Sequence, residues 1–302
     1  EKAKGGNYEL ADNLYEAIES YKKAYEYFKL TKNHKNEVEV LLLLVKLYND
    51  LDQYDMAEEY LNKIKLEGIN KSIINSILFQ YNIEQLRILV NTNRNEEGLK
   101  VIDALTKSRK FTNVQKKKFL LFKGIIYIDQ KNYSGAVSVL KPIALSSSTM
   151  HYLVYHKLAI AYFLTNCSNE GQNCINQCIN YLSTNYNERN TKIIIKLADE
   201  FAKYHIDKYS IKYYDYALEN SELYGQKQYK LICYKSLFNI FFQNNELNSF
   251  QKYAQKIEKY LLDSKGNCDN LTEYLILLVK YYIKTSKELM LERFIDTLEK
   301  AL

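Results

Sequence analysis

Short apolar stripes at helical spacing alternate with polar turns along this chain. Residues 120–143 give the clearest unit. Leu120, Gly124 and Tyr127 fall on one face of a helix, Asp129 to Asn132 read as a turn, and Tyr133, Ala136, Leu140 and Ile143 fall on one face of a second helix. The order large, small, aromatic, then aromatic, small, large has a packing logic. The small residues sit where two antiparallel helix backbones come closest, and bulky neighbours fill the space around them.

The same order recurs in Leu44, Tyr48, Tyr54, Ala57, Leu61 and Ile64, and more loosely in Gln85, Leu89, Gly98, Ile102 and Leu105. Leu158, Ala159, Tyr162, Gly171, Ile175 and Cys178 follow, then Leu197, Ala198, Phe201, Ser210, Tyr214 and Ala217. The last two units are Leu237, Phe241, Phe250, Ala254 and Ile257, then Leu277, Tyr281, Met290 and Phe294. In these two a large residue takes the small position, so their helices are expected to sit further apart. The equivalent second-helix positions are Ala57, Gly98, Ala136, Gly171, Ser210, Phe250 and Met290, at intervals of 41, 38, 35, 39, 40 and 40 residues. This pattern resembles the tetratricopeptide repeat, with intervals longer than its usual ~34 residues. It predicts an all-α, right-handed superhelix (solenoid) of antiparallel helix pairs, about seven in number, filling residues 1–302. Before them, Gly6 to Ala11 reads as the turn and start of a second helix, with Ala17, Tyr21 and Ala24 as another register. No room remains for its partner, so the pattern predicts a partial first pair and a chain cut from a longer protein.

Composition agrees. One proline, Pro142, and nine glycines in 302 residues are too few for a sheet-rich fold. A repeat array also explains an unbroken chain of this length, because its core grows along one axis. The net charge of +6, from 42 basic and 36 acidic residues, describes a mixed surface without the dense stripe of a nucleic-acid binder. Lys107 to Lys110 and Lys116 to Lys118 bracket one connection and read as solvated helix ends. Apolar runs such as Val40 to Val45 and Leu275 to Val279 fall far short of the ~18 residues of a membrane span. Five cysteines are odd in number and sparse, which predicts no disulfide framework and a cytosolic protein.

Catalytic signatures are missing from the sequence: it holds no Gly-rich phosphate loop and no His-Glu-x-x-His. Cys174 and Cys178 share a helix face, with Cys167 near in sequence and His151 or His156 as further donors. Cys178, however, lies on the core stripe, where small buried thiols are common. No metal, cofactor or enzymatic activity is expected. The first helices of the pairs offer more. Residues offset from their packing stripes should line an inner groove: Lys46 and Asn49, Arg87 and Asn91, His156 and Phe163, Asp199 and Lys203, Lys235, Asn239 and Gln243, and Tyr282. Side-chain amides can pair with both N–H and C=O of an extended peptide, and the cations can hold its carboxylates. The apolar C-terminal positions Tyr281, Tyr282, Phe294, Leu298 and Leu302 predict a homodimer.

Through units such as Lys123 to Tyr127 and Tyr133 to Ala136, the chain resembles the Firmicute peptide-pheromone receptors of the Rap, NprR, PlcR, PrgX and AimR kind. Its Asn-, Lys-, Ile- and Tyr-rich usage resembles proteins of AT-rich clostridia, where members of this family control sporulation and toxin production. The resemblance implies a cytosolic sensor whose groove binds a short signalling peptide, with asparagines on first helices holding the peptide backbone. Asn239 matches that role best, followed by Asn49 and Asn91. It also implies an N-terminal helix-turn-helix that binds DNA, upstream of Glu1. The other reading is a scaffold that binds a response regulator or another protein without sensing a peptide.

Overall fold

The computed structural model describes residues 1–10, 13–146, 151–184, 190–264 and 271–301. Among the described residues there are sixteen helices and no strand. In chain order they are α1 (Lys2–Leu10), α2 (Leu14–Leu30), α3 (His34–Asp50), α4 (Tyr54–Asn62), α5 (Lys71–Asn91), α6 (Asn95–Lys107), α7 (Asn113–Asp129) and α8 (Tyr133–Leu145). Then come α9 (His151–Leu164), α10 (Ser168–Thr184), α11 (Asn190–Lys203), α12 (Asp207–Leu223), α13 (Lys227–Gln243), α14 (Leu247–Asp263), α15 (Leu271–Lys284) and α16 (Glu288–Ala301). The chain divides into two units, Glu1–Ile175 and Asn176–Leu302.

One local device repeats through both units. Each odd-numbered helix from α3 to α15 is followed, two residues past its end, by a residue with positive φ: Asp52, Asn93, Lys131, Asn166, His205, Asn245 and Ser286. The next N–H then reaches back to the carbonyl five residues earlier, as in Gln53 to Tyr48 (2.9 Å), Asn132 to Tyr127 (2.8 Å), Ile206 to Phe201 (2.9 Å) and Lys287 to Tyr282 (2.9 Å). This left-handed cap satisfies orphan carbonyls at the helix end and turns the chain sharply into its partner. Polar residues occupy the caps, so the turns read as loops in the sequence.

Within the first unit each helix from α1 to α8 packs on its successor, and α3, α5, α7 and α9 also pack in series. Small residues mark the close approaches, as the periodicity predicts. A Cβ on Gly98 would lie 2.9 Å from Ile126 Cδ1, and one on Gly124 only 2.6 Å from Leu140 Cγ. Leu140 is itself fully buried and has nowhere to move. Gly124→Ala should therefore cost about 1–2 kcal/mol, with overpacking outweighing the helix-propensity gain. Urea denaturation of the variant checks this, and a stabilised variant would refute it.

The first pair differs from its sequence reading. Gly6 and Asn7 lie inside α1, not in a turn, and α1 packs on α2 as a short partner helix. Gly5 permits this: a Cβ there would lie 2.6 Å from Tyr21 Cε1, so the bare backbone rests on the Tyr21 ring. Ala17, Tyr21 and Ala24 form the buried face of α2. A second irregularity follows α4, which has only nine residues. Ile64, Leu66 and Ile69 of the connection pack on Val38, Leu42 and Ile77, replacing the missing turns of helix with an apolar loop.

In the second unit α11 to α16 pack consecutively, with α11 on α13 and α14 on α16 as well. Phe250 occupies the close-approach position of its pair and is fully buried. Met290 does not: it is 54% exposed, while Phe294 is 3% exposed. The register of the last pair is thus set by Phe294, because a helix turns its most apolar face inward. Tyr281, Tyr282 and Phe294, three of the residues that motivated a homodimer, are buried within their own unit, while Ile283, Leu289 and Met290 nearby are exposed. The Leu298 side chain and Leu302 lie outside the described residues. No described helix is long and apolar enough to cross a membrane.

Candidate functional site

In the first unit the candidates on α3 and α5 form a polar network between neighbouring helices. Asn49 Nδ2 donates to Glu84 Oε2 at 2.8 Å and to the Glu84 carbonyl at 3.3 Å. Arg87 donates to Glu84 Oε2 at 3.1 Å and to Asp50 Oδ1 at 2.6 Å. Burial raises the Glu84 carboxyl above the ordinary glutamate value, and Arg87 and Asn49 pull the other way. Asn49 is 2% exposed, so its amide joins two helices and does not face a groove. Sequence reasoning missed Glu84; the signal was its place three residues before Arg87 on the same helix face. Lys46 is half-buried, and Asn91 is exposed with its Nδ2 on the Arg87 carbonyl at 2.9 Å.

Further along this unit, His156 is fully buried in α9. Phe163 is half-buried with its ring against Gly171, where a Cβ would lie 2.8 Å from Phe163 Cζ. Both therefore belong to helix packing. The offset that places a residue beside the packing stripe does not foresee that the adjacent helices cover it.

The second unit places its candidates differently. Asp199 on α11 is exposed and accepts the hydroxyl hydrogen of Tyr214 from α12. The surrounding protein raises the Asp199 carboxyl, while Tyr214 and the charge of Lys235 lower it. Lys235 on α13 reaches Glu273 on α15 at 2.9 Å. These contacts tie one polar row across α11, α13 and α15. Lys203 is exposed on α11, with its ammonium 5.5 Å from the centre of the Tyr204 ring. Asn239 lies one helical turn beyond Lys235 and Gln243 one turn beyond that, on the same face of α13. Asn239 is half-buried and Gln243 exposed, and neither amide has a hydrogen-bond partner among the described residues. Tyr282 does not join this face. It is 2% exposed, its ring is tilted by 52° against that of Tyr281 with centres 4.9 Å apart, and burial raises its hydroxyl pKa, with the charge of Glu258 on α14 acting the same way.

No family model matches the sequence, and no curated protein matches it. The fold does have a solved counterpart. The crystal structure of the apo form of RapI superposes with a TM-score of 0.57 over 87% of this chain and 76% of that one, at 14% identity. A likeness at that identity establishes the shared fold of tetratricopeptide-like helix pairs.

Among the described residues no group of three or more His, Cys, Asp or Glu side chains converges on a metal-sized site. Cys174 and Cys178 are buried, and burial pushes the Cys174 thiol up to about 11. That is the reverse of the shift a metal-binding or nucleophilic cysteine needs. His151 lies at the start of α9, and its side chain is outside the described residues.

Proposed function

We propose that this chain is the peptide-binding sensor part of a cytosolic quorum-sensing transcriptional regulator. The observation that carries this reading is the row on α13. Lys235, Asn239 and Gln243 share one face, and two of them hold amides with no hydrogen-bond partner among the described residues. An amide of this kind can donate to the C=O and accept from the N–H of a single residue of an extended peptide. Asp199 and Glu273 beside the row would accept from a basic side chain or a peptide N-terminus, and Lys203 would meet an acidic one. RapI shares its name with the Rap receptors that the repeats resemble, and its fold supports the same reading.

The coupling to output would be a population shift. Each helix pair contacts only its neighbours, so a peptide bridging α11, α13 and α15 favours whichever spacing of those helices suits it best. In the intact regulator that spacing would position a DNA-binding domain.

The test is calorimetry with synthetic peptides taken from a small secreted precursor encoded beside this gene. Asn239→Ala should weaken binding about 10-fold, the value of roughly 1.4 kcal/mol for its lost hydrogen bonds. Unchanged affinity would reject the α13 row as the site. A response-regulator complex that forms without any peptide heat would favour the scaffold reading.

A further inference from the structure

A recess in the first unit lies outside everything described for the α13 row. It has a volume of about 680 Å³ and is walled by the α4–α5 connection, α5 and Lys110 from the α6–α7 connection. It exists because α4 stops early, at Asn62. The connection turns back at Gly68, where φ is +78°. Leu66 and Ile69 then fold onto Val38, Leu42 and Ile77. Ile74 and Leu78 on α5 are left without a helix over them and remain only half-buried, as do Ile64 and Tyr81 beside them. These four side chains make an apolar floor.

Two cations stand at its rim. Lys65 comes from the α4–α5 connection and Lys110 from the basic run that ends at the α6–α7 connection. Both are exposed, and neither ammonium pairs with an acid among the described residues. Glu67 is the one acid in the lining, so the recess carries a net positive charge. Its volume falls in the ~300–1,000 Å³ range of small-molecule sites, which are mostly apolar with a few placed polar groups. A nucleic-acid strand would need a basic track with stacking rings, and this recess is a single apolar hollow with charges at one edge.

We propose that this recess binds a single-chain amphiphilic carboxylate, a medium-chain fatty acid. The alkyl chain would cover Ile64, Ile74 and Leu78, removing their exposed surface from water. The carboxylate would sit between Lys65 and Lys110, whose flexible stems let two point charges converge on one anion. No bond is made or broken. The site is independent of the peptide reading, because it uses different residues in the other unit.

The experiment is calorimetric titration of the full chain with decanoate, with decanol as the uncharged counterpart. Saturable one-to-one binding of decanoate is expected, with decanol at least 10-fold weaker. The double variant Lys65→Glu/Lys110→Glu should weaken decanoate at least 10-fold, while Lys141→Glu, an exposed lysine on α8, should leave it unchanged. All the substitutions are on exposed side chains, and far-ultraviolet circular dichroism verifies that each variant stays folded. No saturable binding up to about 1 mM overturns the proposal. So does equal affinity for decanol, or equal loss in the Lys141→Glu control.

Discussion

Phe250→Ala should destabilise the second unit by about 3–5 kcal/mol, the usual cost of removing a buried aromatic ring. The repeat pattern alone argues the opposite, since a small residue is what the equivalent positions Ala57, Gly98 and Ala136 supply. The packing decides the matter. Phe250 is 0% exposed, and its ring meets Phe238, Phe242 and Tyr281 edge-on, with centres 5.8, 5.5 and 6.2 Å away. Lys284 adds a cation 5.5 Å from the same ring. Truncation would leave a cavity lined by large rings that cannot all collapse into it. Phe250→Leu keeps most of the volume and should cost less than about half as much. Urea unfolding gives the total loss. Hydrogen exchange at α13 to α15 locates it, because helix pairs in an array can open separately. A loss under about 1 kcal/mol for the alanine variant would show that the pair closes up as a consensus repeat would.

That contrast shows what the sequence could and could not convey. The helix pairs were legible because a stripe of Leu, Gly, Tyr, Ala and Leu at helical spacing has one sensible packing, and it recurs along the chain. The turns were legible from their polar residues. The register of single helices was less so. Gly6 and Asn7 look like a turn in sequence, yet both lie inside α1, where Gly5 beside them serves a close approach to Tyr21. Met290 and Phe294 both suit a packing stripe, and only the folded pair distinguishes the buried one. The candidate site was least legible. A residue beside the packing stripe faces solvent only where the adjacent helices leave it uncovered, which is a tertiary property. Asn239 and Gln243 stay open on α13. Asn49 is claimed by Glu84, and Tyr282 is buried against Tyr281.

The Glu84 network gives the second large effect. Arg87→Ala should cost about 3 kcal/mol at neutral pH, the low end for breaking a buried ion pair, since the Arg87 side chain keeps 27% of its surface exposed. The substitution leaves the Glu84 carboxylate, only 11% exposed, facing the Asn49 amide and Asp50 without a cation. Burial already holds the Glu84 carboxyl above the ordinary value of 4.5, and Arg87 is the main group opposing that shift. Removing Arg87 therefore raises it further. A carboxyl whose folded value exceeds its unfolded value prefers to be protonated in the native state. Its ionisation then costs stability as pH rises from the ordinary glutamate range through the folded value. The deficit of Arg87→Ala should be complete above that folded value and should shrink as pH falls towards 4.5. Glu84→Gln in the same background removes the buried charge and should restore much of the loss at neutral pH. Urea midpoints of the single and double variants, measured at acidic and neutral pH, test both statements. A deficit that is the same at both pH values, or a double variant no better than the single one, would mean that Arg87 acts through packing of its stem alone. The network also bears on function. It fixes the spacing of α3 and α5, two adjacent first helices, and the spacing of such helices is the coordinate on which a peptide bridging several pairs would act.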